Sequence, residues 1–86
     1  MRRDTILKAL GEEIRAERES RKLTQEALAF GSGLDRNSVG NCERGESNPE
    51  LTTLVRIAHG LDIPLTQLIA GMERRLGRGA PATRMQ

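Results

Sequence analysis

Thr24-Gln25-Glu26-Ala27-Leu28-Ala29-Phe30-Gly31-Ser32-Gly33-Leu34-Asp35-Arg36-Asn37-Ser38-Val39-Gly40-Asn41-Cys42-Glu43-Arg44-Gly45 is the stretch that decides the fold. It holds two helix starts and two helix stops. Thr24 is an N-cap, because its hydroxyl oxygen can accept from a first-turn N–H that has no intrahelical partner. Glu26 follows in the first turn, where the helix dipole favours a carboxylate. Gln25 to Phe30 then makes a short helix burying Leu28 and Ala29, and Gly31-Ser32-Gly33 ends it. Leu34 is an apolar plug. Asp35 caps a second short helix, about Arg36 to Arg44, which Gly45 closes.

On a helical wheel the second of these helices has two unlike faces. Val39, Cys42 and Glu43 share the inner one. Arg36, Asn37, Gly40, Asn41 and Arg44 share the outer one, which has no acid, two carboxamides, two guanidinium groups and a gap at Gly40. Such a face suits an anionic surface, with Asn matched to adenine and Arg to guanine in the major groove. Two short helices joined by a Gly-containing turn form the helix-turn-helix pattern, in which the second helix enters that groove. The plainer reading of the wheel is a merely solvated face, and the wheel by itself does not separate the two.

Upstream, about Thr5 to Arg21 reads as a helix, with Leu7, Leu10 and Ile14 at helical spacing and Asp4 or Thr5 as the N-cap. Glu17 and Arg21 form an i,i+4 pair on its wet side, and Glu12 and Glu13 read as a solvated face. Extended by four residues, the apolar stripe reaches Arg18, a cation that is costly there unless paired. Glu43 has the same difficulty on its own helix. The economical solution is that Arg18 and Glu43 meet, as a structural pair. The alternative is that Arg18 reaches out to solvent.

Downstream, Glu46-Ser47-Asn48-Pro49 is a loop. A helix of about Glu50 to His59 presents Leu51, Leu54, Ile57 and Ala58 on one side, and Gly60 closes it. Leu61-Asp62-Ile63-Pro64 leads into a fifth helix ending near Arg74. The expectation is an all-α, compact five-helix bundle, with no strand and no internal repeat. Its expected limits are a flexible N-terminus over 1–4, the helix-turn-helix domain over 5–74 and a flexible basic tail over 75–86.

Size and composition exclude several functions. At 86 residues the chain is one domain. One Phe, with no Trp or Tyr, leaves almost no stacking platform for unpaired bases. One Cys and one His supply neither an internal disulfide nor a structural zinc site. Cys42 reads as an inert core thiol, and His59 as solvated or capping the fourth helix. No nucleophile–base or paired-carboxylate arrangement can be argued, so neither catalytic residues, metal nor cofactor are expected. The longest uncharged run, Ile63 to Met72, is ten residues, short of the roughly 20 needed to span a bilayer. With no signal peptide visible, a cytoplasmic location without membrane partners is expected.

Formal net charge is +2, but residues 4–72 hold eight Lys/Arg against eleven Asp/Glu, a net of −3. The basic excess sits at the two ends. Bulk charge therefore does not argue for nucleic acid, and the case rests on where the polar groups point.

The run Leu23-Thr24-Gln25-Glu26-Ala27-Leu28-Ala29, then Ser32-Gly33-Leu34-Asp35-Arg36, Val39, Glu43-Arg44-Gly45-Glu46 and Asn48-Pro49, resembles the XRE-type helix-turn-helix family of phage repressors and Cro. Leu54, Ile57-Ala58 and Leu61 continue the likeness, which covers about residues 7–71. The short length and these motifs are also similar to the controller proteins of restriction-modification systems. The resemblance implies a five-helix domain that binds double-stranded DNA, usually as a homodimer on a two-fold-related operator. It implies that Gln25 touches phosphate and sometimes a base as well, that Arg36, Asn37 and Asn41 read base edges, and that Ser38 often touches the backbone. Thr24, Arg44, Ser47 and Asn48 are carried with them as expected DNA contacts. It also implies the Arg18–Glu43 pairing. Cys42 departs from the bulkier apolar residue of the family. Gly40 departs by lowering helix propensity, either for close approach to DNA or because it is tolerated.

The expected function is a transcriptional regulator, repressing or activating, with RNA polymerase or a cognate toxin left open as further partners. The competing function is an antitoxin-like protein-binding module whose DNA binding is secondary. Leu65, Ile69 and Met72 form a stripe on the last helix. With Leu61, Ile63 and Leu68 supplying core contacts, that stripe is left over as the expected dimer interface.

Overall fold

The computed structural model describes residues 1–77. Five helices and no strand are present among them: α1 (Arg3–Ser20), α2 (Gln25–Ser32), α3 (Arg36–Glu43), α4 (Leu51–Gly60) and α5 (Leu65–Arg75). The chain path follows from local chemistry. Thr24 accepts from the Ala27 N–H at 3.0 Å and Asp35 from the Ser38 N–H at 2.7 Å, so both short helices start on side-chain caps. Gly33 and Gly45 sit at φ 69° and 72°, the left-handed region that a side chain rarely adopts.

Each helix contributes to one core: Leu10 and Ile14 from α1, Leu28 and Ala29 from α2, Val39 and Cys42 from α3, Ile57 and Ala58 from α4, and Leu68 from α5, with Leu61 between the last two. Helix α1 packs on α3 and α5, while α2 packs on α3 and α4. The α1–α3 crossing is close because Gly11 lies against the backbone of Cys42 and Glu43.

Several expected details differ. Helix α1 begins at Arg3, and its N-cap Arg2 makes no side-chain cap hydrogen bond. Asp4 is in the first turn instead, its Oδ1 accepting from the Thr5 N–H at 3.0 Å. Residues 3 and 4 are therefore helical, not part of a flexible end. Helix α5 runs through Arg75, one residue into the expected tail, and 78–86 lie outside the described residues. Gly60 stays helical, and it is glycine for packing rather than for a turn, because Ser32 and Leu28 of α2 occupy the space a Cβ would fill. The left-handed turn falls on Asp62, at φ 59°. Leu51, expected on the buried side of α4, is 66% exposed, because it opens the helix beyond the reach of the core.

Helix α1 also has a second buried stripe. Glu13 is buried under Gly71 of α5, where any side chain would collide with its carboxylate, and it accepts from Arg75 Nε at 2.9 Å. Glu17 pairs with Arg21 at 2.6 Å as expected, but largely covered rather than wet, with Gln67 of α5 donating to it at 3.4 Å. Burial pushes the Glu17 carboxyl up. The hydrogen bonds from Arg21 and Gln67, with the Arg21 charge, outweigh that and hold it below its usual value.

Candidate nucleic-acid interface

The scaffold of the site is the ion pair between α1 and α3. Arg18 Nε donates to Glu43 Oε2 at 2.6 Å and Nη2 donates to Oε1 at 3.1 Å, a bidentate fork with side chains 12% and 3% exposed. Arg18 Nη1 donates to the Leu23 carbonyl at 2.7 Å, so the same guanidinium also holds the turn into α2. Its hydrogen bonding to Glu43 raises the Arg18 pKa above the usual value, outweighing burial. The pairing suggested by two misplaced charges is the one found.

This pair extends to the surface through Gln25. The first residue of α2, Gln25 is half-buried, and its Nε2 donates to Glu43 Oε1 at 3.0 Å. Its Oε1 lies beside Gly40 of α3. The N-terminus of α2 and the outer face of α3 are thus one surface. Beside Gln25, Thr24 is exposed, and with its oxygen used as a cap, its O–H proton remains available to an acceptor.

Along α3, Arg36 and Asn37 are exposed and make no side-chain hydrogen bond or ion pair among the described residues. Ser38 is half-buried beside the cap. Asn41 is half-buried, and its Oδ1 accepts from Arg44 Nη2 at 2.6 Å. Arg44 Nε is 3.1 Å from Glu46, a partner whose one signal in the sequence is an acid two positions from a basic residue. Gly40, expected as an open gap on the outer face, is buried, because the Arg44 guanidinium and the Gln25 amide lie over it. Beyond α3, Asn48 is exposed, whereas the Ser47 hydroxyl turns inward, 3.5 Å from the buried Cys42 Sγ. The structure thus gathers Thr24, Gln25, Arg36, Asn37, Asn41 and Arg44 on two adjoining elements, and leaves Ser47 facing the core.

The expected leftover stripe on α5 is only half left over. Leu65, Ile69 and Met72 are each half-buried, and Leu65 and Met72 pack against the protein's own core. The exposed large apolar residues of the helices lie elsewhere: Phe30 on α2, and Leu51 and Val55 one turn apart on α4. No group of His, Cys, Asp or Glu among the described residues is arranged to hold a metal ion. No helix of the described residues is long and apolar enough to cross a membrane.

A helix-turn-helix family profile matches residues 14–68. The chain is 39% identical to control protein C.SmaI of Serratia marcescens over 74% of its own length and 76% of that protein's. It is 38% identical to the immunity repressor of Bacillus phage phi105 over 70% of its length, but spans only 42% of that repressor. The crystal structure of the restriction-modification controller protein C.AhdI from Aeromonas hydrophila superposes with a TM-score of 0.71 at 44% identity, covering 72% of this chain and 94% of that one. The matched segment runs from Ile14 in α1 to Leu68 in α5, and so includes the ion-paired scaffold and both helices that carry the exposed polar face. The chain belongs to the helix-turn-helix family of DNA-binding transcriptional regulators, the family of phage repressors and restriction-modification controller proteins.

Proposed function

We propose that this protein regulates transcription as a homodimer on a two-fold-related operator, with α3 in the major groove of each half-site. The observation that carries this reading is the pair Arg36 and Asn37. Two polar side chains at the start of α3 are exposed and unpartnered among the described residues. The scaffold behind them is held by a bidentate buried ion pair. A reading head needs that combination, because a bidentate base contact tolerates little error in position. Asn37 and Asn41 read base edges, and Arg36 reads a base or meets phosphate. Thr24, Gln25, Ser38 and Asn48 position the backbone, and Ser47 does so once its hydroxyl turns outward. The protein works in the cytoplasm, carries out no catalytic step and needs no cofactor. Its control comes through its own concentration or through a partner such as RNA polymerase.

The test is selection of bound sites from a random duplex pool, followed by binding of single-base variants at two salt concentrations. An inverted repeat with half-sites one helical turn, about 34–36 Å, apart is the expected product. Recovery of sites without two-fold symmetry contradicts the dimeric reading.

The second reading is an antitoxin-like module that masks a protein partner, with DNA binding secondary. It is favoured by the chain's sole aromatic residue, Phe30, which is 90% exposed. A stable one-to-one complex with a neighbouring gene's product, lost on Phe30→Ser while operator affinity is kept, is the result that selects it.

A further inference from the structure

The chain leaves α1, α2 and α3 by the same turn. After α1, the Leu23 N–H donates to the Arg18 carbonyl at 3.2 Å and the Lys22 N–H to the Glu19 carbonyl at 2.9 Å. Leu34 and Gly33 repeat this pattern on Ala29 and Phe30, and Glu46 and Gly45 repeat it on Asn41 and Cys42. One residue of each turn must take a positive φ, which makes glycine its usual occupant. After α2 and α3 that residue is Gly33 or Gly45, but after α1 it is Lys22, at φ 57°. Asp62 takes the same turn after α4, at φ 59°, and a short acidic side chain is among the few that tolerate it. A lysine is not, so Lys22 carries a local cost that glycine would remove.

Nothing in the protein's own packing offsets that cost. Lys22 is exposed, and its side chain makes no hydrogen bond or ion pair among the described residues. The acids nearby in the chain and fold are engaged or out of reach. Glu19 lies 3.0 Å from Arg15, and Glu43 is held by Arg18 and Gln25. Glu26, in the first turn of α2, is not within ion-pair distance of it.

What Lys22 does have is its place beside the start of α2. It stands two residues before Thr24, whose hydroxyl proton is free for an acceptor, and three before Gln25. Both of those side chains are neutral, and the Arg18 charge behind them is matched by Glu43. Without Lys22, a phosphate at this end of α2 would meet donors but no uncommitted side-chain cation. Lysine supplies one as a compact charge on a flexible four-carbon stem.

We infer that Lys22 is a phosphate anchor for DNA, kept in a left-handed turn because its charge stands at the start of α2. This rests on the reading that Thr24 and Gln25 meet the DNA backbone, and deepens it by naming the residue that brings the charge to that contact.

The experiment compares the full-length protein with its Lys22→Gly, Lys22→Gln and Lys22→Arg variants, in thermal unfolding and in binding to the selected operator and to an unrelated duplex. Lys22→Gly removes the charge and the backbone cost together. Its melting temperature should rise by about 2–5 °C, since glycine relieves the left-handed backbone but gains freedom in the unfolded chain. Its affinity should nevertheless fall on both duplexes, because a phosphate contact carries no sequence information. One lost contact lowers the salt slope by about 0.9 per protomer, so the wild-type advantage should shrink about 3.5-fold per protomer between 50 and 200 mM salt. Lys22→Gln should lose the same affinity without the gain in melting temperature, and Lys22→Arg should keep both affinity and slope. Operators with one phosphate at a time replaced by an uncharged methylphosphonate locate the contact. One position per half-site should weaken the wild type and leave Lys22→Gln unchanged.

If Lys22→Gly and Lys22→Gln bind as wild type at both salt concentrations, or if no methylphosphonate position separates Lys22→Gln from wild type, the inference is wrong. A position that still separates Gln25→Ala from wild type then keeps the backbone reading of α2, whereas its absence removes that reading as well. A fall in melting temperature for Lys22→Gly makes Lys22 a structural residue of the turn and overturns the inference. Loss confined to particular base pairs makes it a base reader, which overturns the inference too.

Discussion

Glu43→Ala tests the scaffold that holds the DNA-facing helices. The substitution removes two hydrogen bonds from Arg18, at 2.6 and 3.1 Å, and one from Gln25, at 3.0 Å. It leaves a guanidinium only 12% exposed, still bonded to the Leu23 carbonyl but without its anion. Removing one partner of a buried ion pair costs about 3–5 kcal/mol, most of it the uncompensated charge. Glu19 stands 3.9 Å from Arg18 and is half exposed, so it moderates the loss. The lower end applies, about 3 kcal/mol, out of a total that for small domains is about 5–15 kcal/mol.

In a domain of this size each kcal/mol moves the melting temperature by about 4–8 °C, so a drop of about 12–24 °C is expected. The assay is thermal unfolding followed by circular dichroism, with urea titration to check that the m-value is unchanged. Arg18→Met with Glu43→Leu should recover most of the loss, since hydrophobic replacement of a whole buried pair is often neutral or stabilising. A Glu43→Ala protein that melts within about 3 °C of wild type refutes the reasoning. The pair would then be solvated in the native state, and the fork would contribute no more than a surface bridge.

The remaining predictions concern DNA, assembly, packing and pH. Asn37→Ala should weaken the selected operator by about 1–3 kcal/mol and relax one symmetric pair of positions; equal loss on every sequence variant would show that it does not read a base. Gln25→Ala should weaken specific and non-specific DNA alike with little change in salt slope. Arg36→Ala should lower that slope by about one per subunit if it meets phosphate. For assembly, Ile69→Glu on α5 should give a folded monomer in sedimentation. A dimer that survives it but is lost in Val55→Glu puts the interface on α4. Gly11→Ala should destabilise by about 1–3 kcal/mol despite the better helix propensity, because its methyl group would enter the Cys42 and Glu43 backbone; a more stable variant would mean that α1 and α3 can separate freely. The Glu17 carboxyl has a folded pKa below its usual 4.5, so its contribution is fully present above that value. It is lost as pH falls through the lowered folded value. Glu17→Gln should flatten the stability–pH curve below about pH 5, and an unchanged acid limb in urea titrations would contradict the network.

The five helices, and the starts of α2 and α3, were legible because the forces that set them act within a few residues. Thr24 and Asp35 are followed at three residues by the N–H groups they cap. The turns at Gly33 and Gly45 need a backbone conformation that glycine takes without a Cβ penalty. The Arg18–Glu43 pair was legible for a different reason. A charge on an apolar stripe carries a large cost, and two opposite ones demand each other. No comparable constraint pointed to Glu46, which joins the surface around Arg44 at little energetic consequence either way.

Tertiary structure decided what lies over each helix. Glu12 and Glu13 are adjacent in sequence and alike in chemistry, yet one is exposed and the other buried, because Glu13 lies against α5, where Gly71 leaves room for its carboxylate. Gly40 looks vacant on a wheel, but Arg44 and Gln25 fill its surroundings from one turn away and from another helix. Leu65 and Met72 form a clean stripe with Ile69, and only the position of α5 against α1 and α4 commits them to the core. Periodicity gives the direction of a side chain from its own helix axis. The sequence alone thus determined the five helices, the side-chain caps of α2 and α3 and the need for the buried pair. Burial depends on which neighbour occupies that direction, and that neighbour is set by packing between elements as distant in the chain as Glu13 and Arg75, 62 residues apart.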